Sequence, residues 1–208
     1  MRSLALLLAA GLAAAQAGAA VVNFDSTTPG AVPRGWLAGI TGPGQARWAV
    51  TSDSSAPSAP NVLKQSGEVA SHSYPWCVKT NMSLKDGFVE VKFKPLSGKE
   101  DQAGGVVWRW QDGDDYYVAR GNALEDNVIL FRTAGGQRKE LRRVPIKVTP
   151  RQWHTLRVDF SGAHFTVSFD RQKVMDWEDA TFKKAGAAGV WTKADSVTLF
   201  DDFKWGRN

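Results

Sequence analysis

Apolar and polar residues alternate with a period of two in several segments of the chain. Residues 89–94 read Val-Glu-Val-Lys-Phe-Lys, which places three apolar side chains on one face of a strand. Residues 165–169 repeat the alternation with Phe, Thr, Val, Ser and Phe. Other runs that are rich in strand-forming residues and bounded by turn residues predict further strands at residues 47–51, 104–110, 116–120, 127–132, 139–144, 153–160, 173–177, 187–191 and 197–205.

Turn residues interrupt these runs at intervals of about eight to twelve residues, a spacing typical of all-β sandwiches and barrels. No segment beyond residue 20 shows apolar recurrence at helical spacing. Residues 26–60 are rich in Pro, Gly, Ser and Thr and predict long loops around short strands. With no repeat and no linker visible, residues 21–208 predict a single all-β domain whose two ends lie side by side.

Residues 1–20 have the pattern of a secretory signal peptide. Arg2 precedes an apolar run over residues 4–15, and two small-x-small cleavage patterns follow at 15–17 and 17–19. The alternative is a membrane anchor, but the run is shorter than the roughly 20 residues that a spanning helix needs. We therefore expect a periplasmic or secreted protein with no membrane insertion.

The formal net charge is +5, and basic residues are interspersed with acidic ones along the strands and turns. The one local basic cluster consists of Arg138, Lys139, Arg142 and Arg143. Nucleic-acid-binding proteins concentrate many basic residues on one face, so we expect no nucleic-acid partner. A solvated mixed surface is the prediction, and weak attraction to anionic polymers stays open.

The sequence lacks the common catalytic devices. It contains no Gly-x-Ser-x-Gly, no His-Glu-x-x-His and no phosphate-binding loop, and its histidines lie outside known motifs. His154 fits a structural role on a strand. Retaining glucanases with a jelly-roll fold carry their carboxylates on one strand, and the nearest match here is Asp86 with Glu90. No catalytic residue can be assigned, and no cofactor is expected.

A polar and aromatic block over residues 100–127 is the candidate functional site. Arg109 and Arg120 lie within strongly apolar runs, where a charge must be paired or functional. A hairpin centred near Gly113 would place both on one face. We expect Arg109, Arg120 and Glu125 to form one cluster, with Asn122 and Asn127 at its edge and Tyr117 nearby. The predicted ligand-binding residues are Arg109, Tyr117, Arg120, Asn122, Glu125 and Asn127, with aromatic surfaces from Trp108, Trp110, Tyr116 and Tyr117. The alternative is an Arg–Glu network that only stabilises the fold.

No metal site is predicted from ligand spacing. One question stays open at the chain ends, where Asp25 together with Asp201 or Asp202 could hold a structural calcium.

Four segments resemble bacterial concanavalin A-like, laminin-G-like modules, in the same order: residues 104–109, 116–120, 153–158 and 200–203. Within that superfamily the chain is most similar to the 3-keto-disaccharide hydrolase domain family. The resemblance implies a two-sheet antiparallel jelly-roll sandwich with a concave face that holds a glycan. No catalytic residue of the hydrolase maps onto this sequence.

Three functions follow as hypotheses. The first is an exported carbohydrate-binding module, a monomer whose partner is a glycan or oligosaccharide. The second is a glycoside hydrolase acting on 3-keto or ordinary disaccharides. The third is a structural envelope protein without a small ligand.

Overall fold

A computed structural model describes residues 18–207, which form two antiparallel β-sheets. Strands make up 59% of the structure, and the described residues contain no helix. The predicted all-β jelly-roll sandwich is confirmed. The signal-peptide prediction for residues 1–20 falls almost wholly outside the described residues.

One sheet has the strand order β13-β12-β11-β6-β15-β4-β3, with β1 also paired to β15. Its strands are β1 (Ala20–Val22), β3 (Trp48–Ser52), β4 (Asn61–Gln65), β6 (Gly87–Ser97), β11 (His154–Ser161), β12 (His164–Phe169), β13 (Gln172–Glu178) and β15 (Val197–Gly206). The other has the order β10-β9-β8-β7-β14-β5-β2. Its strands are β2 (Trp36–Thr41), β5 (Tyr74–Leu84), β7 (Ala103–Asp112), β8 (Asp115–Asn122), β9 (Asn127–Ala134), β10 (Gln137–Pro145) and β14 (Gly186–Trp191).

The main core lies between the two sheets and follows from the alternation in the sequence. On β6, Val89, Val91 and Phe93 point inward and have no exposed surface, while the residues between them are partly exposed. Trp108 on β7 and Tyr117 on β8 meet them from the second sheet, with their rings stacked at 5.4 Å between centroids. Burial of this apolar face is the main stabilising contribution to the fold.

The chain ends pair with each other, as predicted. Strand β1 runs antiparallel to β15, with Ala20 opposite Trp205 and Val22 opposite Phe203. This pairing ties the start of the described chain to its last strand.

The seven-stranded sheet also carries a second apolar cluster on its outer face, and the sheet curls around it. Arg138 on β10 and Tyr74 on β5 are five strand spacings apart, roughly 24 Å in a flat sheet. The Arg138 guanidinium nevertheless lies 4.3 Å from the Tyr74 ring centroid. The outer face is therefore concave, and we call it the concave face. Its main lining residues are Tyr74, Trp76, Tyr116, Arg120, Phe131, Arg138 and Trp191.

Candidate functional site

Arg120 is the centre of a polar cluster at one end of the concave face. It lies on β8 and is 2% exposed. Its guanidinium donates to Oδ1 of Asn127 at 2.5 Å and to Oε2 of Glu125 at 2.7 Å. Asn127 also donates from Nδ2 to the same Glu125 oxygen at 3.0 Å. The three predicted residues Arg120, Glu125 and Asn127 thus form one contiguous group.

The turn between β8 and β9 presents Glu125. Asn122 and Asn127 are opposite each other at the ends of the two strands. The Asn122 side chain accepts the backbone N–H of Leu124 at 2.9 Å, an Asx-type bond that closes the turn. Asp126 adopts a left-handed conformation with φ of 48°, which Asp tolerates better than most residues. From this turn the Glu125 side chain, 34% exposed, reaches back over Arg120.

Asn122 is a buried residue that links the β8–β9 turn to an ion pair. It has no exposed surface, and its Nδ2 donates to Oδ1 of Asp101 at 2.6 Å. The other Asp101 oxygen pairs with Lys193 at 2.5 Å. Sequence reasoning placed Asn122 at the edge of the site. That placement is wrong, because the residue lies at the end of β8 beneath the turn.

Burial and pairing act differently on the two carboxylates. Burial raises the pKa of Asp101 above its usual value, although the Lys193 ammonium opposes this effect. Burial also acts to raise the pKa of Glu125, but the charge and hydrogen bond of Arg120 outweigh it and hold the pKa below its usual value. Glu125 is therefore ionised at neutral pH, next to a guanidinium.

Arg109 lies apart from this cluster, so the predicted grouping of Arg109 with Arg120 is wrong. Its side chain, 1% exposed, donates to the backbone oxygens of Lys85, Phe182 and Gly162 at 2.6–3.0 Å. The cause is a β-bulge in the pairing of β7 with β8, where Arg109 has a positive φ of 47°. The bulge turns the side chain away from the face predicted by regular alternation.

Tyr117 also belongs elsewhere. It lies in the core between the sheets, and its hydroxyl donates to the Asp179 carboxylate at 2.5 Å. Burial raises its pKa to about 12. Tyr117 and Arg120 are three residues apart on one strand, so they point to opposite faces. The prediction that Tyr117 lies near Arg120 is wrong for that reason.

Most of the predicted aromatic surfaces are closed. Trp108 is buried between the sheets, and Tyr116 is buried on the concave face, where its hydroxyl meets the Thr41 hydroxyl at 2.8 Å. Trp110 is partly buried and packs against Trp76 with 5.2 Å between ring centroids. The accessible groups around Arg120 are therefore polar: Glu125, Lys193 and Arg143.

Sequence reasoning missed four contributors to the site, namely Asp101, Arg138, Arg143 and Lys193. Arg143 on β10 lies 3.5 Å from the Glu125 carboxylate and binds Glu140 at 2.6 Å. Its strand carries the only basic cluster noted in the sequence. That cluster was a usable signal, since β10 pairs with β9 and continues the same face.

The chain-end carboxylates are already occupied by protein donors. Asp25 accepts the backbone N–H of Asn61 at 2.9 Å. Asp201 accepts two backbone N–H groups, and Asp202 pairs with Lys92 at 2.7 Å. Across residues 18–207, no three His, Cys, Asp or Glu side chains lie close enough to hold a metal ion. In the same part of the chain, no helix is long and apolar enough to cross a membrane.

His154 has a structural environment. Its Nδ1 is 2.8 Å from the Asp170 carboxylate, its Nε2 is 2.9 Å from the Thr149 carbonyl oxygen, and its ring stacks on Phe169. With both ring nitrogens engaged and only 6% of the residue exposed, it is poorly placed to act as a base.

Several solved structures share this fold. The carbohydrate-binding module CBM66 from Bacillus subtilis superposes with a TM-score of 0.67 at 17% identity, covering 83% of this chain and 95% of that one. The Bacillus licheniformis beta-glucanase gives 0.61 at 12% identity, with 92% and 98% covered. The exoplasmic/lumenal domain of VIP36, in a form bound to Ca²⁺ and Man3GlcNAc, gives 0.59 at 12% identity, with 86% of each chain covered.

No protein-family model and no curated protein matches the sequence. The nearest-family assignment, to the 3-keto-disaccharide hydrolases, therefore stays a prediction. The structural neighbours do confirm the fold, a two-sheet antiparallel jelly-roll sandwich.

Proposed function

We propose that the protein is an exported carbohydrate-binding module that recognises a glycan at the Arg120–Glu125 cluster on its concave face. The observation that carries the proposal is the arrangement of Glu125, which is held over a buried guanidinium and is one-third exposed. A fixed carboxylate beside fixed cations offers paired acceptors and donors, the chemistry that recognises neighbouring hydroxyl groups. Three structural neighbours named as a carbohydrate-binding module, a glucanase and a glycan-bound domain support a carbohydrate ligand.

Glycoside hydrolysis is the second candidate, and one observation favours it. Asp101 and Glu125 are two carboxylates in one network whose pKa values are shifted in opposite directions, as acid and base pairs often are. Asp101, however, is 1% exposed and both its oxygens are bonded, to Asn122 and Lys193. It has no free face for a substrate. Binding without turnover is therefore the better-supported proposal. If no saccharide binds, the structural envelope role is favoured instead.

A glycan array tests the proposal, followed by product analysis with every glycan that binds. Binding with no change in the glycan is the expected result. Released sugars would favour the hydrolase, and the absence of any binding glycan would contradict a carbohydrate role altogether.

Glu125→Gln locates the site once a ligand is in hand. The substitution keeps the shape of the side chain but removes its charge, so we expect binding to weaken about tenfold or more. Glu140→Gln is the matched control because Glu140 also pairs with Arg143 but makes no contact with Arg120. If the two substitutions changed the affinity equally, the ligand would not bind at the Arg120–Glu125 cluster.

A further inference from the structure

Arg138 is an unpaired cation held by aromatic rings on the concave face. Its guanidinium carbon lies 4.3 Å from the ring centroids of Tyr74 and Phe131, and 5.8 Å from that of Trp191. Within residues 18–207 it makes no ion pair and no side-chain hydrogen bond, and its buried Nη1 has no partner. The rings hold the guanidinium in place, but they supply no negative charge.

The neighbouring carboxylates are committed to other cations. Glu140 shares the face of β10 with Arg138 but binds Arg143 with both its oxygens, at 3.1 and 2.6 Å. Glu125 is shared between Arg120 and Arg143. One guanidinium on the concave face, that of Arg138, therefore has no carboxylate partner among the described residues.

A second, independent observation concerns Arg120. The residue is 2% exposed and its Nε is buried without a hydrogen-bond partner. Its guanidinium carbon is 5.7 Å from the same Phe131 ring that contacts Arg138. Two arginines with unused donors thus flank one aromatic ring. Arg120 is buried, whereas Arg138 is partly exposed, so an oxyanion that reaches Arg138 would supply the negative charge that the rings lack.

We infer that the concave face recognises an oxyanion on its saccharide, with Arg138 as the residue that binds it. The inference rests on the proposed function and adds the ligand class, a glycan that carries carboxylates or sulfate esters. Guanidinium groups bind both through paired, charge-assisted hydrogen bonds. Because the rings already fix the guanidinium, little rotamer entropy remains to be lost on binding.

The test compares affinities for uronic acid oligosaccharides with those for their methyl esters, and for sulfated dextran with those for dextran. We expect the acidic forms to bind about tenfold or more tightly than the neutral ones. Arg138→Gln should remove that difference. Lys139→Gln, which deletes the same charge from the opposite face of the same strand, should preserve it. Arg138→Lys should fall between the two, because it keeps the charge but loses the paired geometry.

The outcomes separate this inference from the proposed function. Preference for the uronate or for the sulfate supports the inference and identifies the anion. Equal binding of acidic and neutral forms, with Glu125→Gln still impairing binding, would overturn the inference and leave the proposed function intact. An equal loss of acid preference in the Arg138 and Lys139 variants would overturn it too, because general surface charge would then explain the preference. Failure of every saccharide to bind would overturn both.

Discussion

At the scale of single residues, the polar cluster depends on side chains that cannot reach solvent. Asn122, Asp101 and Arg120 are all at most 2% exposed, and each hydrogen bond among their partners replaces one that water supplied in the unfolded chain. Loss of a buried partner therefore costs more than the bond itself, since the remaining group stays desolvated.

Asn122→Ala tests this. We expect the free energy of unfolding to fall by about 1–3 kcal/mol, because Asp101 and the N–H of Leu124 both lose a partner. Asn81→Ala is the control, because Asn81 is exposed and should change stability by less than about 0.5 kcal/mol. Chemical denaturation measures both. If Asn122→Ala changed glycan affinity and left stability intact, Asn122 would after all be an accessible contact.

Asp201 makes stability depend on pH. Burial raises its pKa from 3.8 to about 6. Between these values the folded protein retains a proton that the unfolded chain has released, so its contribution to stability falls as the pH rises from about 4 to about 6. Asp201→Asn should remove this contribution, seen as a flatter dependence of unfolding free energy on pH.

Asp202, next to Asp201, provides a control because its pKa is shifted in the opposite direction. Burial acts to raise the pKa of Asp202, but the hydrogen bond and charge of Lys92 outweigh it and lower that pKa. The contribution of Asp202 is therefore present above the unfolded pKa of about 4 and is lost as the pH falls. Asp202→Asn should remove a contribution to the unfolding free energy that increases, rather than decreases, as the pH rises. The same slope in both variants would show that a different group titrates.

At the scale of elements, the bulge in β7 separates the positions of Arg109 and Arg120. Arg109 uses its donors on three loop carbonyls at one end of the sandwich, while Arg120 faces the concave surface. We infer that Arg109 stabilises the junction of these loops and takes no part in binding.

Arg109→Met distinguishes the two roles. It keeps most of the side-chain volume but leaves the carbonyls of Lys85, Phe182 and Gly162 without their donor, so we expect a loss of about 3 kcal/mol or more in unfolding free energy. Glycan affinity measured well below the melting temperature should be unchanged. If the variant were as stable as the wild type but bound the glycan more weakly, Arg109 would be a binding residue.

β6 and β12 were predicted because their residues alternate clearly, whereas β7, β8, β9 and β14 were predicted from apolar, β-rich runs. The sequence did not predict β2, β4 and β5. β5 contains Pro75, which normally argues against a central strand, and β2 lies in a segment whose composition indicates loops. The group of Arg120, Glu125 and Asn127 was predictable because a short turn brings them together. The position of Arg109 was not predictable, because extra residues of β7 at the bulge reverse the face of its side chain.

At the scale of the whole molecule, the fold and the export prediction can be tested separately. The far-UV circular dichroism of residues 21–208 should show strand with almost no helix, and more than about a fifth helix would contradict the sandwich.

When the protein is expressed in its own cell, its first 17 to 20 residues should be removed, as N-terminal sequencing would show. An intact Met1 on cytoplasmic protein would contradict export.

The basic strand β10 has a further consequence for the behaviour of the protein in concentrated solution. It forms one border of its sheet, where unpaired backbone groups could recruit a strand from another copy. Arg138, Lys139, Arg142 and Arg143 make that border strongly positive, a register shift between Glu140 and Arg142 bends it, and Pro145 ends it. Two such borders repel each other and fit together poorly. The strand that carries Arg138 on the concave face therefore also disfavours edge-to-edge assembly into fibrils.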